Sequence, residues 1–415
     1  MVPITVIIDI NINFQGKHRM LHNTNTFIIK GGSVLLSDGT ITKTDLRVSD
    51  GLIDAIGIGT VGKSNVLDAS GFNVLPGAID LHGDAFERQI MPRAGVSFPM
   101  DMALFETDRQ LVSNGITTAF HGITYSWEPG LRSRDVGTKL IECLERLRND
   151  FSCSTKFHLR FETYNLDAIK EVEKWLESER VDFLAFNDHM PSIIKKIETG
   201  QSLARFVERT GLIEREFITL VNKLRDRQGE VTNGIKLLAK KANENGIPTA
   251  SHDDETAATR RFFNNIGCKI AEFPETKEAI KEAVKLDNNI VLGAPNVIRG
   301  GSHMGADGLS AADNIEQGWG NILCSDYYYP ALINAPLELA RKEIIDFSKA
   351  WNMVSKNAAY AANLADRGEI AVGKRADLVL LDPMAPAQAS LMATLVGGRM
   401  AVSYTHLTLP TNREV

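Results

Sequence analysis

The chain has 415 residues, of which 43% are hydrophobic and 24% charged, a composition typical of a folded globular protein rather than a disordered one. Its formal net charge of −6 argues against a nucleic-acid binder that relies on a basic surface, so an anionic substrate would need local positive charge or a metal ion. No apolar run reaches the roughly 18 residues of a membrane-spanning helix, and the N-terminus lacks the pattern of a signal peptide.

Four cysteines occur, and none of them lies in a C-x-x-C pair. Four in so long a chain do not form a disulfide framework. We therefore expect reduced, mostly buried thiols and a cytoplasmic protein. The four are Cys143, Cys153, Cys268 and Cys324.

The N-terminal part is predicted to contain a small β unit. Residues 1–25 hold a short apolar run and a polar stretch, and we interpret them as an N-terminal extension. Residues 26–75 contain short β-type runs separated by turn signals such as Ser37-Asp38-Gly39, which predict the first part of a small β-sandwich domain. These runs lie at 28–30, 33–36, 46–48, 52–56 and 66–68.

From residue 76 to 367, short apolar strands alternate with helical patterns. Repeated βα units with apolar strands predict a parallel sheet buried on both faces, and eight such units predict an α/β fold closed into a TIM-like (β/α)8 barrel. The long, charged region 191–230 is interpreted as a helical insertion over the barrel mouth. The predicted strands are 78–84, 117–123, 157–162, 183–189, 248–254, 269–274, 289–295 and 321–326.

The C-terminal part returns to β character. Residues 368–402 are predicted to pair with the N-terminal β unit, because neither segment alone makes a good sheet. Residues 403–415 continue no pattern, and we interpret them as a tail that need not be native.

Polar side chains close several of the predicted barrel strands, where barrel enzymes place their chemistry. His82 and Asp84 are two residues apart, so they lie on the same face of the first strand and could share one metal ion. Each such residue alone could be a hydrogen-bonded core residue or the N-cap of the next helix. Their repetition favours a metal site, with the predicted ligands His82, Asp84, Glu162, His189, His252 and Asp326.

Nitrogen and oxygen ligands without thiolate suit Zn, which we favour, as well as Mn, Fe or Ni. One or two ions could be held, and Glu162 could bridge a pair. Two ions would lower the pKa of a bridging water and polarise the bond under attack. Asp326 would then orient this water and move its proton.

A possible anion site follows the seventh strand, in the stretch GAPNVIRGGSH at 293–303. The loops after the seventh and eighth strands are the usual phosphate site of a (β/α)8 barrel. Backbone N–H groups of Gly300 and Gly301 could approach an anion, and Arg299 could donate two hydrogen bonds. From the spacing alone, a tight turn with a surface arginine explains the stretch equally well.

Several other polar residues have more than one possible role. Arg93 is narrowly favoured as a substrate contact, whereas Arg160, two residues before Glu162, is favoured as a salt-bridge partner of a carboxylate. His303 could touch the substrate, and His121 could be a ligand at the end of the second strand. His158 lies away from the strand ends and is interpreted as structural.

Taken together, these motifs resemble the amidohydrolase superfamily over about residues 27–402. The resemblance rests on the entry LPGAIDLH at 75–82, the ending GKRADLV at 373–379 and the β unit divided between the chain ends. Within the superfamily, the chain is similar to the phosphonate-metabolism branch. The branch motifs are LHGD at 81–84, MPR at 91–93, GITT at 115–118, HLRFE at 158–162, DH at 188–189, ASHDD at 250–254, AEFP at 271–274, 293–303 and SDYY at 325–328.

This resemblance implies a metal-dependent hydrolase that cleaves the triphosphate of a ribosyl methylphosphonate to the 5-phosphate and pyrophosphate. It also favours phosphate binding by Arg299, Gly300 and Gly301, and disfavours His121 as a ligand. Three features depart from the wider superfamily: Asp84 replaces a second histidine, Glu162 would replace a carboxylated lysine, and the later histidines fall on the fourth and fifth strands. The second metal position is therefore open.

Two other functions compete with the diphosphatase. An amidohydrolase or deaminase acting on a C–N bond would have a mostly apolar pocket rather than several arginines beside a Gly-Gly pair. A scaffold without metal would lack ligands that are present here. The superfamily also allows a homo-oligomer, although no residue pattern indicates an interface.

Overall fold

The structure is a computed structural model that describes residues 26–57, 65–93, 95–302 and 308–404. The predicted N-terminal extension, His303 and residues 405–415 of the predicted tail lie outside these residues. Within them, no helix is both long and apolar enough to cross a lipid bilayer.

Both ends of the described chain contribute to one mixed eight-stranded sheet, as predicted. The first half of β1 (Phe27–Leu35) pairs in parallel with β4 (Asn65–Asp68) and its second half with β5 (Asn73–Pro76), and β5 pairs antiparallel with β14 (Leu378–Leu381). The strands enclose a core that includes Ile29, Leu46 and Leu378. They are β1 (Phe27–Leu35), β2 (Ile41–Ser49), β3 (Leu52–Ile56), β4 (Asn65–Asp68), β5 (Asn73–Pro76), β14 (Leu378–Leu381), β15 (Leu391–Val396) and β16 (Arg399–Ser403).

Between these segments, eight parallel strands form the barrel, and all eight strands predicted from the sequence are present. Most of their residues are buried, because side chains point alternately to the barrel interior and to the surrounding helices. The strands are β6 (Ala78–Gly83), β7 (Ile116–Tyr125), β8 (Ser154–Glu162), β9 (Phe183–Asn187), β10 (Thr249–His252), β11 (Ile270–Glu272), β12 (Asn289–Gly293) and β13 (Ile322–Cys324).

Helices surround the barrel. They are α1 (Glu87–Ile90), α2 (Met100–Ser113), α3 (Arg134–Leu147), α4 (Ile169–Glu177), α5 (Met190–Glu198), α6 (Ala204–Thr210), α7 (Glu214–Arg225), α8 (Gln228–Glu244), α9 (Ala257–Asn265), α10 (Lys277–Lys285), α11 (Ala294–Arg299), α12 (Ala311–Glu316), α13 (Ala331–Arg341), α14 (Phe347–Asn352) and α15 (Lys356–Ala361). The inserted helices α5 to α7 follow β9, and Arg209 of α6 pairs with Glu128 in the loop after β7, 2.7 Å away. The predicted helical insertion therefore packs at the strand ends that carry the site.

The barrel closes at the seam between β13 and β6. The Asp80 carboxylate accepts hydrogen bonds from the Ser325 backbone N–H at 2.9 Å and from the Ser325 hydroxyl at 2.5 Å. The Asp326 N–H donates to the His82 carbonyl, and the Asp84 N–H donates to the Asp326 carbonyl, both at 2.9 Å. These contacts bring the ends of the first and eighth strands together.

Three strands end in the same local geometry. Asp253, Phe273 and Asp326 follow β10, β11 and β13, and each has a positive φ, of 58°, 51° and 54° respectively. Each donates its backbone N–H to a carbonyl of the neighbouring strand. Non-glycine residues rarely adopt this conformation, and such backbone strain concentrates at functional sites. The chain thus turns sharply just after the strands that carry the polar cluster.

Candidate metal and active site

Three buried side chains meet at the carboxyl ends of β6, β10 and β11. The Oε2 atom of Glu272 lies 3.2 Å from Nδ1 of His82 and 3.2 Å from Nδ1 of His252. The two imidazole rings are stacked, with their centroids 5.1 Å apart. Two histidines and a carboxylate whose ligand atoms lie within 4.8 Å of one another form a group that could hold a divalent ion.

The polar atoms of this group fit a metal ion. Neither ring nitrogen of His82 makes a hydrogen bond to a described residue, nor does Oε1 of Glu272, although all three atoms are buried. Buried polar atoms without a partner are costly unless they bind an ion or water. Burial, followed by the charge of Arg160, lowers the pKa of His82 and of His252, which keeps both rings in the neutral form that binds metals.

A second group shares His82. It joins His82 with Asp84 and Asp326, again with ligand atoms within 4.8 Å of one another. Burial raises the pKa of Asp326 to about 7, and the nearby Asp84 adds to the rise. A carboxylate that titrates near neutral pH can both accept and release a proton at that pH, which suits a general base.

The structure brings together four of the six predicted ligands: His82, Asp84, His252 and Asp326. The other two pair with each other instead, because Oε1 of Glu162 lies 2.5 Å from Nδ1 of His189. Burial acts to raise the pKa of Glu162, but His189, Arg160 and Arg132 together lower it. Glu162 in turn raises the pKa of His189. The pair lies beside the two groups without belonging to either among the described residues.

Glu272 was missed as a ligand in the sequence analysis, although a signal was available. It is the carboxylate that ends β11, and the strand alternation places it on the same inner face as Ile270. His158 was interpreted as structural, yet it lies in the same interior, edge-on to the His82 ring with 5.0 Å between centroids. Its Nδ1 lies 3.0 Å from the Leu81 carbonyl oxygen, so its contacts support the strand that carries His82.

The predicted salt bridge of Arg160 is present in the structure. Its guanidinium donates to Oδ2 of Asp84 at 3.1 Å and to Nε2 of His252 at 3.1 Å. Both atoms belong to residues of the candidate metal groups, so a fixed positive charge lies among the ligands.

Two further arginines lie at the rim of the barrel. Arg299 donates to the Tyr327 hydroxyl at 3.3 Å, and the Arg88 guanidinium lies over the Tyr327 ring, 5.9 Å from its centroid. Within the described part of the chain, neither arginine has a carboxylate at ion-pair distance. Both arginines therefore contact the residue that directly follows the candidate ligand Asp326.

The Gly300-Gly301 pair, predicted as an anion contact, ends a helix in the structure. The stretch folds as helix α11, and the N–H groups of Gly300 and Gly301 donate to the Val297 and Asn296 carbonyls at its C-terminus. These donors are therefore not available to an anion, and a helix C-terminus carries partial negative charge. Arg299, the remaining predicted phosphate contact in this stretch, is the last residue of α11, and its side chain donates to the Tyr327 hydroxyl.

The structure does not place the three other predicted site residues in this cluster. Arg93 is exposed in the loop after α1, where it forms a β-bridge with Val96. His121 points to the outside of β7, where its ring meets Phe86 edge-on at 5.5 Å, and burial lowers its pKa to about 4. The predicted contact of His303 lies outside the described residues.

Comparison with known proteins gives a consistent result. The family model "Amidohydrolase family" matches residues 337–402. The chain is 32% identical over 370 residues to the alpha-D-ribose 1-methylphosphonate 5-triphosphate diphosphatase of Escherichia coli K12, covering 83% of this chain and 93% of that protein. The chain belongs to the amidohydrolase superfamily, in the branch of this diphosphatase.

More distant relatives of this amidohydrolase carry other activities. An allantoinase of Bacillus licheniformis is 24% identical over 410 residues, covering 86% of this chain and 87% of that protein. A crystal structure of D-hydantoinase superposes with a TM-score of 0.63 at 16% identity, covering 91% of this chain and 95% of that chain. At this identity the structural likeness supports the barrel fold, and the family as a whole identifies a metal-dependent hydrolase.

Proposed function

We propose that this amidohydrolase cleaves the triphosphate of α-D-ribose 1-methylphosphonate 5-triphosphate, leaving the 5-phosphate and pyrophosphate. The observation that carries the proposal is the 32% identity to the diphosphatase, which extends over 93% of that relative. The site supports it, because a polyphosphate needs several positive charges, and Arg88 and Arg299 both contact Tyr327, which directly follows the candidate ligand Asp326.

We propose a role for each part of the site on the basis of this arrangement. His82, His252, Glu272, Asp84 and Asp326 would hold a divalent ion, most simply Zn²⁺, which acts as a Lewis acid and lowers the pKa of a water when bound. Arg88 and Arg299 would orient the outer phosphates. Asp326 would take a proton from the attacking water, whose oxygen adds to phosphorus as the bond between the first and second phosphates breaks.

Hydrolysis of a C–N bond, the class of reaction to which the allantoinase name refers, is the alternative. An amide or purine pocket needs mostly apolar walls around a few polar groups. Arg88 and Arg299 at the rim, which have no carboxylate partner among the residues that the structure describes, favour an anionic substrate instead. We also propose that the enzyme works in the cytoplasm, since its four cysteines are free thiols.

The proposal predicts that the purified enzyme releases pyrophosphate from the ribosyl methylphosphonate triphosphate, and that release requires a divalent metal. Asp326→Asn removes the proton acceptor, so kcat is expected to fall by about 10²–10⁴-fold. Pyrophosphate is measured by a coupled assay, with Tyr328→Phe as a control at an exposed neighbouring position. Metal-loaded enzyme that leaves the triphosphate intact but hydrolyses allantoin or another cyclic amide would refute the assignment.

A further inference from the structure

The Arg160 side chain lies inside the metal site rather than beside it. Arg160 is the third residue of the HLRFE run, so the alternation of β8 points it into the barrel together with His158 and Glu162. Its side chain is 6% exposed. Gly122 on the neighbouring strand makes room for it, because a Cβ at Gly122 would lie 3.2 Å from Cδ of Arg160 and 3.5 Å from Nε2 of His82.

This guanidinium connects the two candidate metal groups. One group holds His82, His252 and Glu272, and the other holds His82, Asp84 and Asp326. Arg160 donates to Asp84 of one group and to His252 of the other, each at 3.1 Å. His82 is common to both groups, and the guanidinium of Arg160 connects a further residue of each. The positive charge of Arg160 therefore lies between the two positions that a pair of ions would occupy.

The two predicted ligands outside these groups, Glu162 and His189, contact each other instead of a second ion position. Glu162, the predicted bridging ligand, lies 2.5 Å from Nδ1 of His189. The remaining site contains three carboxylates, those of Asp84, Glu272 and Asp326, together with neutral imidazoles and one guanidinium. The Asp253 carboxylate also adjoins this set, with Oδ2 3.4 Å from Nε2 of His252. A second divalent ion would lie beside the Arg160 guanidinium in this buried site, where repulsion between like charges is strong.

We propose that Arg160 serves as a built-in second cation, so that the site binds one divalent metal ion per chain instead of a pair. A guanidinium keeps its charge at every pH at which the protein is folded, so the limit holds across the working range. The proposal concerns ion binding alone and does not depend on which substrate the enzyme hydrolyses.

The direct test is metal stoichiometry. The full chain is stripped with a chelator, titrated with Mn²⁺, and assayed by elemental analysis and electron paramagnetic resonance. One Mn²⁺ per chain with the spectrum of an isolated ion is expected. Two Mn²⁺ per chain with an exchange-coupled spectrum would overturn the proposal, and this result needs no variant.

A pair of variants tests whether the charge of Arg160 sets the limit. Arg160→Lys keeps the charge and is expected to bind one Mn²⁺, as the wild type does. Arg160→Gln removes it and is expected to accept a second Mn²⁺ or to bind the first at least tenfold more tightly. If Arg160→Gln folds, as judged by circular dichroism, and binds one ion with unchanged affinity, Arg160 does not limit the site.

Discussion

Glu272 is the residue with the greatest consequence for the metal site. It is fully buried on β11 and lies within 3.2 Å of two imidazole nitrogens, and also 3.8 Å from Nε2 of His158. A buried carboxylate surrounded by neutral histidines is expensive unless a cation is added. Burial accordingly raises the pKa of Glu272, which opposes its ionised form in the absence of an ion.

Replacing Glu272 should therefore weaken metal binding more than it weakens the fold. Loss of a second-layer partner at a metal site typically costs about 10–100-fold in affinity, so Glu272→Gln, which alters a direct ligand, is expected to cost at least about tenfold. Isothermal titration with Zn²⁺ measures the effect, and Glu343→Gln, at an exposed position, is the matched control. Equal affinities in the two variants would remove Glu272 from the ligand set.

The sequence predicted four of the clustered residues because histidines and aspartates at strand ends are conspicuous. It could not predict how Glu162 and His189 are used, since their mutual contact depends on the spacing of β8 and β9 in three dimensions. It also could not decide how the Gly300-Gly301 pair is used, because a glycine pair can either expose its N–H groups or end a helix. Which of these occurs depends on where α11 begins and ends, and the sequence pattern does not determine that.

At the scale of elements, β10 and β11 are joined behind the site by one arginine. Arg260 of α9 has no exposed surface, and it donates to Asp254 at 3.1 Å, to the Ser251 hydroxyl at 2.6 Å and to the Ile270 carbonyl at 3.2 Å. The two strands carry His252 and Glu272 on their opposite, inner faces. The arginine therefore fixes the spacing of two candidate ligands that it does not touch.

Arg260→Met should destabilise the protein strongly, because it leaves the Asp254 carboxylate buried without its partner. Breaking a buried ion pair in this way typically costs about 3–5 kcal/mol. The adjacent Arg261 pairs with Glu282, but its side chain is 51% exposed, and Arg261→Gln is expected to cost less than about 1 kcal/mol. Urea unfolding of the two variants compares them, and similar midpoints would contradict the role assigned to Arg260.

The order of the elements was predicted better than their ends. All eight barrel strands were found because apolar runs separated by helical patterns leave few other folds. The C-terminal ends of β11 and β13 were each predicted two residues too late, since the left-handed turns at Phe273 and Asp326 contain no glycine that would mark them in the sequence. The sharp turns that shape the site are thus the part of the fold with the weakest sequence signal.

At the scale of the whole molecule, folding raises the pKa of all four cysteine thiols. All four cysteines are buried and free. Burial raises the pKa of Cys143 and of Cys268 to about 12, and it raises those of Cys153 and Cys324 as well. The folded chain therefore holds these groups as unreactive thiols rather than thiolates.

Two measurements check this expectation. An aromatic disulfide reagent at pH 8 should label the folded protein slowly and label all four thiols after denaturation. Because the folded pKa values exceed the ordinary thiol value of 9.0, ionisation favours the unfolded chain. The free energy of unfolding should therefore be insensitive to these groups below pH 9 and fall as the pH rises above it. Rapid labelling of the folded protein would contradict the buried assignment.

The closure of the barrel also sets an order of events during synthesis. The Asp80–Ser325 contacts join residues 245 positions apart, and β5 obtains its partner β14 only after that. A chain emerging from the ribosome thus carries His82 and Asp84 for most of its translation before Asp326 can reach them. Contacts of such long sequence separation form late and slowly. The nascent chain consequently passes through a long period in which its first barrel strand has no closing neighbour and its metal site is incomplete.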